Sequence, residues 1–114
     1  ATDLPLTSRQ LKRILKRTGV GIARTGGYTG HGSGEVMIGF TTANRIPSGR
    51  EEELLQISAI PEHVINRAFL AAAEAEQEAI LNSMTAAKQT RGREGELYYS
   101  LSEYLNDREV ETSK

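Results

Sequence analysis

Cysteine is absent from the 114-residue sequence, which excludes disulfide scaffolds, thiolate catalysis and Cys-based zinc sites. Histidine occurs only at His31 and His63, too sparse for a histidine-built metal centre. No apolar run approaches the ~20 residues that a membrane-spanning helix needs. The chain opens on Ala1-Thr2-Asp3, without the charged and apolar regions of a signal peptide, and reads as a processed or truncated piece. No cofactor and no metal are expected. The expected compartment is the cytoplasm, and the periplasm is compatible with the lack of cysteine.

What is present is an ordinary globular balance, 38% hydrophobic and 25% charged. The length suits one domain and buries roughly two-thirds of the unfolded surface, enough for a modest core. Net charge is −1, unevenly spread. Residues 1–34 hold Arg9, Lys12, Arg13, Lys16, Arg17 and Arg24 against Asp3 alone, while the rest holds eight bases and 14 acids. Such asymmetry marks either a contact with an acidic partner or a solvated helix face.

Residues 7–24 read as a helix capped by Thr7 or Ser8, with Leu11, Ile14, Leu15 and Ile22 roughly on one stripe. Gly19 and Gly21 weaken its second half by about 1 kcal/mol each relative to Ala. They suggest close approach by another backbone, or a helix that ends early. Residues 25–34 are a loop with five glycines in ten positions. A strand is expected over 35–42, with Val36, Ile38 and Phe40 on one face and Glu35, Met37, Gly39 and Thr41 on the other. A turn around Pro47 leads to a weaker strand over 53–60, and Pro61 opens the next helix.

That helix is expected from Glu62 to about Lys88. At ~1.5 Å per residue it spans close to 40 Å, longer than a small domain is wide. Its apolar positions are broad, and Ala71–Ala73 permit close packing on more than one side. It looks built to be covered by further protein. Asn82 is expected as a buried amide bonded to backbone. Residues 89–96 are a turn, Ser100 and Glu103 form a candidate capping box, and 107–114 are expected as a frayed tail.

Chemistry concentrates in residues 23–35, ARTGGYTGHGSGE. A P-loop needs Gly-Lys-Ser/Thr, and Gly32-Ser33 has no lysine. A dinucleotide fingerprint follows a strand and opens a helix, the reverse of this order. A nucleophile elbow needs glycines two residues either side of the serine, where His31 and Glu35 stand. A flexible connection also accounts for five glycines. The sharper reading pairs Ser33 with Glu35, two apart at the mouth of a strand and able to face the same side. A hydroxyl beside a carboxylate can polarise a nucleophile or relay a proton.

The series ATD-LPL, QLKRILKR, GIARTGGYTGHGSGEVMIGFTTAN, EAEQEAILNSMTAA and GREG resembles the C-terminal (β) part of DmpA-type peptidases. These are the L-aminopeptidase/D-esterases and β-peptidyl aminopeptidases, and the resemblance runs from Ala1 to about Gly95. It implies an α+β fold, part of an αββα sandwich of the N-terminal-nucleophile-like type, in helix–strand–strand–long helix order. It implies a self-processing hydrolase that releases N-terminal residues from short peptides, amides or esters through an acyl-enzyme. Ser33 and Glu35 match the family's supporting catalytic residues, and Gly32 and Gly34 would let the backbone approach the nucleophile without a Cβ clash. The implied partners are the N-terminal (α) chain of the same precursor and further copies in a homo-oligomer, with no membrane. The family's nucleophile lies a few residues upstream of the ATD segment. Neither Thr2 nor Thr7 occupies its place, so residues 1–114 form one C-terminal segment expected to be inactive alone.

The alternative from another class is a non-catalytic binding or structural module. Arg9, Arg13 and Arg17 share an i,i+4 line that could contact nucleic acid or an acidic partner. No aromatic interleaving accompanies them, which disfavours nucleic acid.

Overall fold

Thr7 caps the first helix, and the local chemistry is reciprocal. The Gln10 backbone N–H donates to the Thr7 hydroxyl at 3.2 Å, and the Thr7 N–H donates to the Gln10 side-chain carbonyl at 3.1 Å. In the computed structural model, which describes residues 1–49 and 54–112 and side chains as far as 106, this helix is α1, Ser8–Leu15. One helix over 7–24 is expected, and two form. The Arg17 N–H bonds the Ile14 carbonyl at 2.8 Å, an i→i−3 closure that tightens the last turn. The Thr18 hydroxyl donates to the Leu15 carbonyl at 2.8 Å, and α2, Thr18–Arg24, begins there.

The chain divides into two compact units, residues 1–77 and 78–114. In the first, Pro61 precedes a 3-10 turn, Glu62–Val64, that runs into α3, Ile65–Ala86. The expected bounds of the long helix therefore hold to within about three residues at each end. Leu6, Ile65, Ala68 and Ala73 form its small buried core, with Gln10 as the buried polar group. Gln10 is satisfied there because its amide donates to the Ile60 carbonyl at 2.7 Å. Asn44 fastens two further segments: its amide donates to the Leu6 and Ser58 carbonyls at 3.3 and 2.8 Å, and its oxygen accepts from the Ser58 N–H at 3.0 Å.

Gly21 meets the expectation of a close backbone approach. A Cβ built there would lie 2.6 Å from the Ala73 carbonyl oxygen and 2.9 Å from the Gln77 nitrogen of α3. The strands are different. Residues 35–42 and 54–60 form no ladder, and Glu53 lies outside the described residues. A strand exists by pairing, and among the described residues the first segment has one backbone bridge, in which Thr2 pairs with Thr41 in parallel. The Thr2 N–H donates to Phe40 O at 3.1 Å, and the Thr42 N–H donates to Thr2 O at 2.9 Å. Val36, Ile38 and Phe40 are 88%, 87% and 59% exposed, so the apolar face read from the sequence is uncovered. Met37 and Gly39 face the helices instead. The Met37 methyl lies 3.6 Å from a Cβ built on Gly19, and the Leu15 side chain lies 2.6 Å from one built on Gly39.

In the second unit, β1, Thr90–Arg91, pairs antiparallel with β2, Leu97–Tyr98, across the expected turn. Ser100 then caps α4, Leu101–Thr112, as the sequence predicts. The Ser100 N–H donates to the Glu103 carboxylate at 2.9 Å, and the Glu103 N–H donates to the Ser100 hydroxyl at 3.2 Å. Hydrogen bonds to the carboxylate from the Ser100 N–H and the Ser100 hydroxyl hold Glu103 below its ordinary value. The tail expected over 107–114 overlaps α4 as far as Thr112, and residues 113–114 lie outside the described residues. Asn82 corrects the sequence reading. It is exposed rather than buried, and the α4 contact on this part of α3 goes to Thr85, whose carbonyl accepts from the Ser102 hydroxyl at 3.0 Å.

Candidate active site

The loop after α2 contains the candidate site, and its shape follows from its glycines and one threonine. Gly26 takes φ 96, which L side chains rarely adopt, and Thr29 takes φ 50. The Ser33 N–H donates to the Gly30 carbonyl at 2.9 Å, closing a turn with His31 and Gly32 at its corner. The Ser33 hydroxyl reaches the same carbonyl at 3.1 Å. It also lies 3.5 Å from a Glu35 carboxylate oxygen. The pair expected from spacing alone is therefore brought together, at the outer limit of a hydrogen bond. Both residues are exposed among these 114 residues and border an open hollow with Ile22, Tyr28 and His31. A Cβ on Gly32 or Gly34 would meet nothing within 4 Å, so the space beside the pair is open.

His31 lies at the turn corner and is exposed. Among the described residues no three His, Asp or Glu side chains gather as a metal site, and no helix is long and apolar enough to cross a membrane. Sequence reasoning did not single out Thr29 or Asn44. A glycine-rich loop hides which non-glycine takes a left-handed backbone, and the Asn44 amide acts across 14 to 38 residues of sequence.

The basic line finds partners within the chain, with Arg9 still exposed and Arg13 and Arg17 half-buried. Arg9 pairs with Glu62 at 2.8 Å, and Arg13 pairs with the other oxygen of the same carboxylate. Arg13 and Arg17 also lie over the Phe69 ring, 5.3 and 4.2 Å from its centre. Arg9 and Arg13 of α1 thus reach Glu62 of the 3-10 turn, and Arg13 and Arg17 reach Phe69 of α3. Hydrogen bonding from Arg13, aided by the positive charges of Arg13 and Arg9, holds the Glu62 carboxyl below its ordinary 4.5. A depressed acid contributes stability above its unfolded value and loses it as pH falls through its folded one. Between about pH 5 and pH 3, wild-type protein is expected to lose more stability than Glu62→Gln in denaturant titrations. Parallel losses in both would remove Glu62 from the acid response.

Comparison with known proteins fits this geometry. Residues 1–98 match the family described as peptidase family S58. The chain belongs to peptidase family S58. Among curated S58-like relatives, a beta-peptidyl aminopeptidase, BapA, of Sphingosinicella microcystinivorans is 35% identical over 95 residues, 83% of this chain and 24% of the relative. The PH0078 protein of Pyrococcus horikoshii OT3 superposes with TM-score 0.82 at 48% identity, over 91% of this chain and 30% of that one. The L-aminopeptidase D-Ala-esterase/amidase of Ochrobactrum anthropi, described as a variant of the Ntn hydrolase fold, gives TM-score 0.79 at 34% identity. That match covers 87% of this chain and 28% of the other. The S58 chain thus spans about a quarter of the curated relative's length and has the expected α+β, N-terminal-nucleophile-like fold class.

Proposed function

We propose that this stretch is the C-terminal part of a self-processing, serine-type aminopeptidase. The precursor cleaves itself ahead of a serine or threonine upstream of Ala1, and the freed residue is the nucleophile. Its new α-amino group, ordinarily titrating near ~7.7–8, takes the hydroxyl proton as the oxygen attacks the substrate carbonyl. The leaving amine departs with a proton, and water then releases the N-terminal residue from the acyl-enzyme. Ser33 and Glu35 orient the nucleophile and its amine.

One observation carries the reading, the parallel bridge between Thr2 and Thr41. A segment entering Thr2 in that register runs back along Phe40, Ile38 and Val36. It comes level with Glu35 and Ser33 about six to eight residues before Thr2, in a parallel ladder. A nucleophile at the head of that strand would therefore stand beside the Ser33–Glu35 pair. The uncovered side chains of Val36, Ile38 and Phe40 support further protein, including an α chain, against this face. In this reading the 114 residues carry supporting groups only and are inactive alone. Short peptides, amides or esters with a free amino terminus are the substrates.

The full-length protein is expected to hydrolyse a free-amine aminoacyl p-nitroanilide at least about a hundred times faster than its N-acetyl form. Equal rates on both would refute the aminopeptidase reading.

A further inference from the structure

We propose that Thr29 is a positioning residue for the Ser33 hydroxyl, acting through the Gly30 carbonyl. This rests on the aminopeptidase reading of Ser33. Half of the residues from Thr25 to Gly34 are glycine, yet among the described residues the one non-glycine with a left-handed backbone is Thr29, at φ 50. A β-branched side chain resists that region because its Cβ crowds the neighbouring carbonyl oxygen. Glycine would occupy it without strain, but would also loosen a loop that already has few restraints. Strain of this kind, beside a candidate site, points to a conformation held for a purpose.

The purpose is visible in the next four residues. The reversal at Thr29 turns Tyr28 back across Gly30, so that a Cβ on Gly30 would lie 3.1 Å from the Tyr28 ring. The Gly30 carbonyl accepts both the Ser33 N–H at 2.9 Å and the Ser33 hydroxyl at 3.1 Å. A serine hydroxyl has one proton. Given to Gly30, it is not given to Glu35 at 3.5 Å. The lone pairs of the Ser33 oxygen are then left to accept from an incoming donor, and the Glu35 carboxylate keeps both oxygens for a second one. The α-amine of the nucleophile supplies those two donors through its N–H bonds and keeps its lone pair for the nucleophile's hydroxyl proton. The turn through Thr29 thus sets Ser33 as an acceptor rather than a donor.

The test measures kcat and KM of the full-length enzyme on a free-amine p-nitroanilide, with Thr29→Pro, Thr29→Gly, Ser33→Ala and their combinations. Proline cannot adopt positive φ, and Thr29→Pro is expected to lower kcat at least about thirtyfold with KM within about twofold. Thr29→Gly, able to keep the backbone but not to stiffen it, lowers kcat about threefold to fivefold. In the Ser33→Ala background neither change lowers kcat further, the signature of action through Ser33. Equal factors in both backgrounds, or no effect of Thr29→Pro, would overturn the proposal. If Thr29→Pro fails to fold, the same comparison with Thr29→Gly decides. Wild-type turnover by Ser33→Ala alone would instead remove the reading of Ser33 on which the proposal stands.

Discussion

Glu35→Ala in the full-length protein is expected to lower turnover at least about a hundredfold, the usual scale for a lost proton-handling group, while the protein still folds. Folding should survive because the side chain is exposed and its only described polar contact is the Ser33 hydroxyl at 3.5 Å. Turnover should not, because a nucleophile's amine at this site loses the anion that holds its proton. Glu35→Gln separates the two contributions. It keeps an acceptor oxygen but no charge, and should recover little if the carboxylate acts on an ammonium. Near-wild-type kcat for Glu35→Ala would remove Glu35 from the mechanism, whatever its place in the loop.

Gly21→Ala is the second large effect, and it acts on the scaffold. The added methyl would lie within 3 Å of the Ala73 carbonyl oxygen, the Glu76 Cβ and the Gln77 nitrogen, none of which is the far end of a flexible side chain. Either α2 or α3 must shift, at about 2–3 kcal/mol for an overpacked contact. That outweighs the ~1 kcal/mol by which alanine favours a helix over glycine. Gly19→Ala is the contrast, since its methyl meets only the Met37 methyl at 3.6 Å and should be neutral or mildly stabilising. Denaturant midpoints of the two variants compare them directly. A Gly21→Ala midpoint at or above wild type would mean that α2 does not lie against α3 as described. Because α2 leads directly into the loop that holds Ser33, a shift of α2 should also reduce turnover.

Local chemistry was the most legible part of the sequence. The caps at Thr7 and Ser100 and the long helix after Pro61 act within a few residues, and each forms as read. Of the two glycines of the second helix only Gly21 shows the close backbone approach, against distant Ala73 and Gln77. The Ser33–Glu35 pair was legible for the same reason, since residues two apart in an extended segment share a side. The strands were not. Alternation over 35–42 correctly separates Met37 and Gly39 from Val36, Ile38 and Phe40, but a ladder needs a neighbour, and among the described residues the bridge comes from Thr2 alone. The basic line left its partners open, because charge along a helix does not say which face packs. Glu62 and Phe69, distant in the sequence, take up Arg9, Arg13 and Arg17.

The measurement that tests the account most directly is intact-mass spectrometry, with N-terminal sequencing, of the purified full-length protein. Self-processing predicts two polypeptides. The smaller contains this stretch and begins with serine or threonine about six to eight residues before Thr2, where the parallel register reaches Glu35 and Ser33. A single uncleaved polypeptide with full aminopeptidase activity would contradict it.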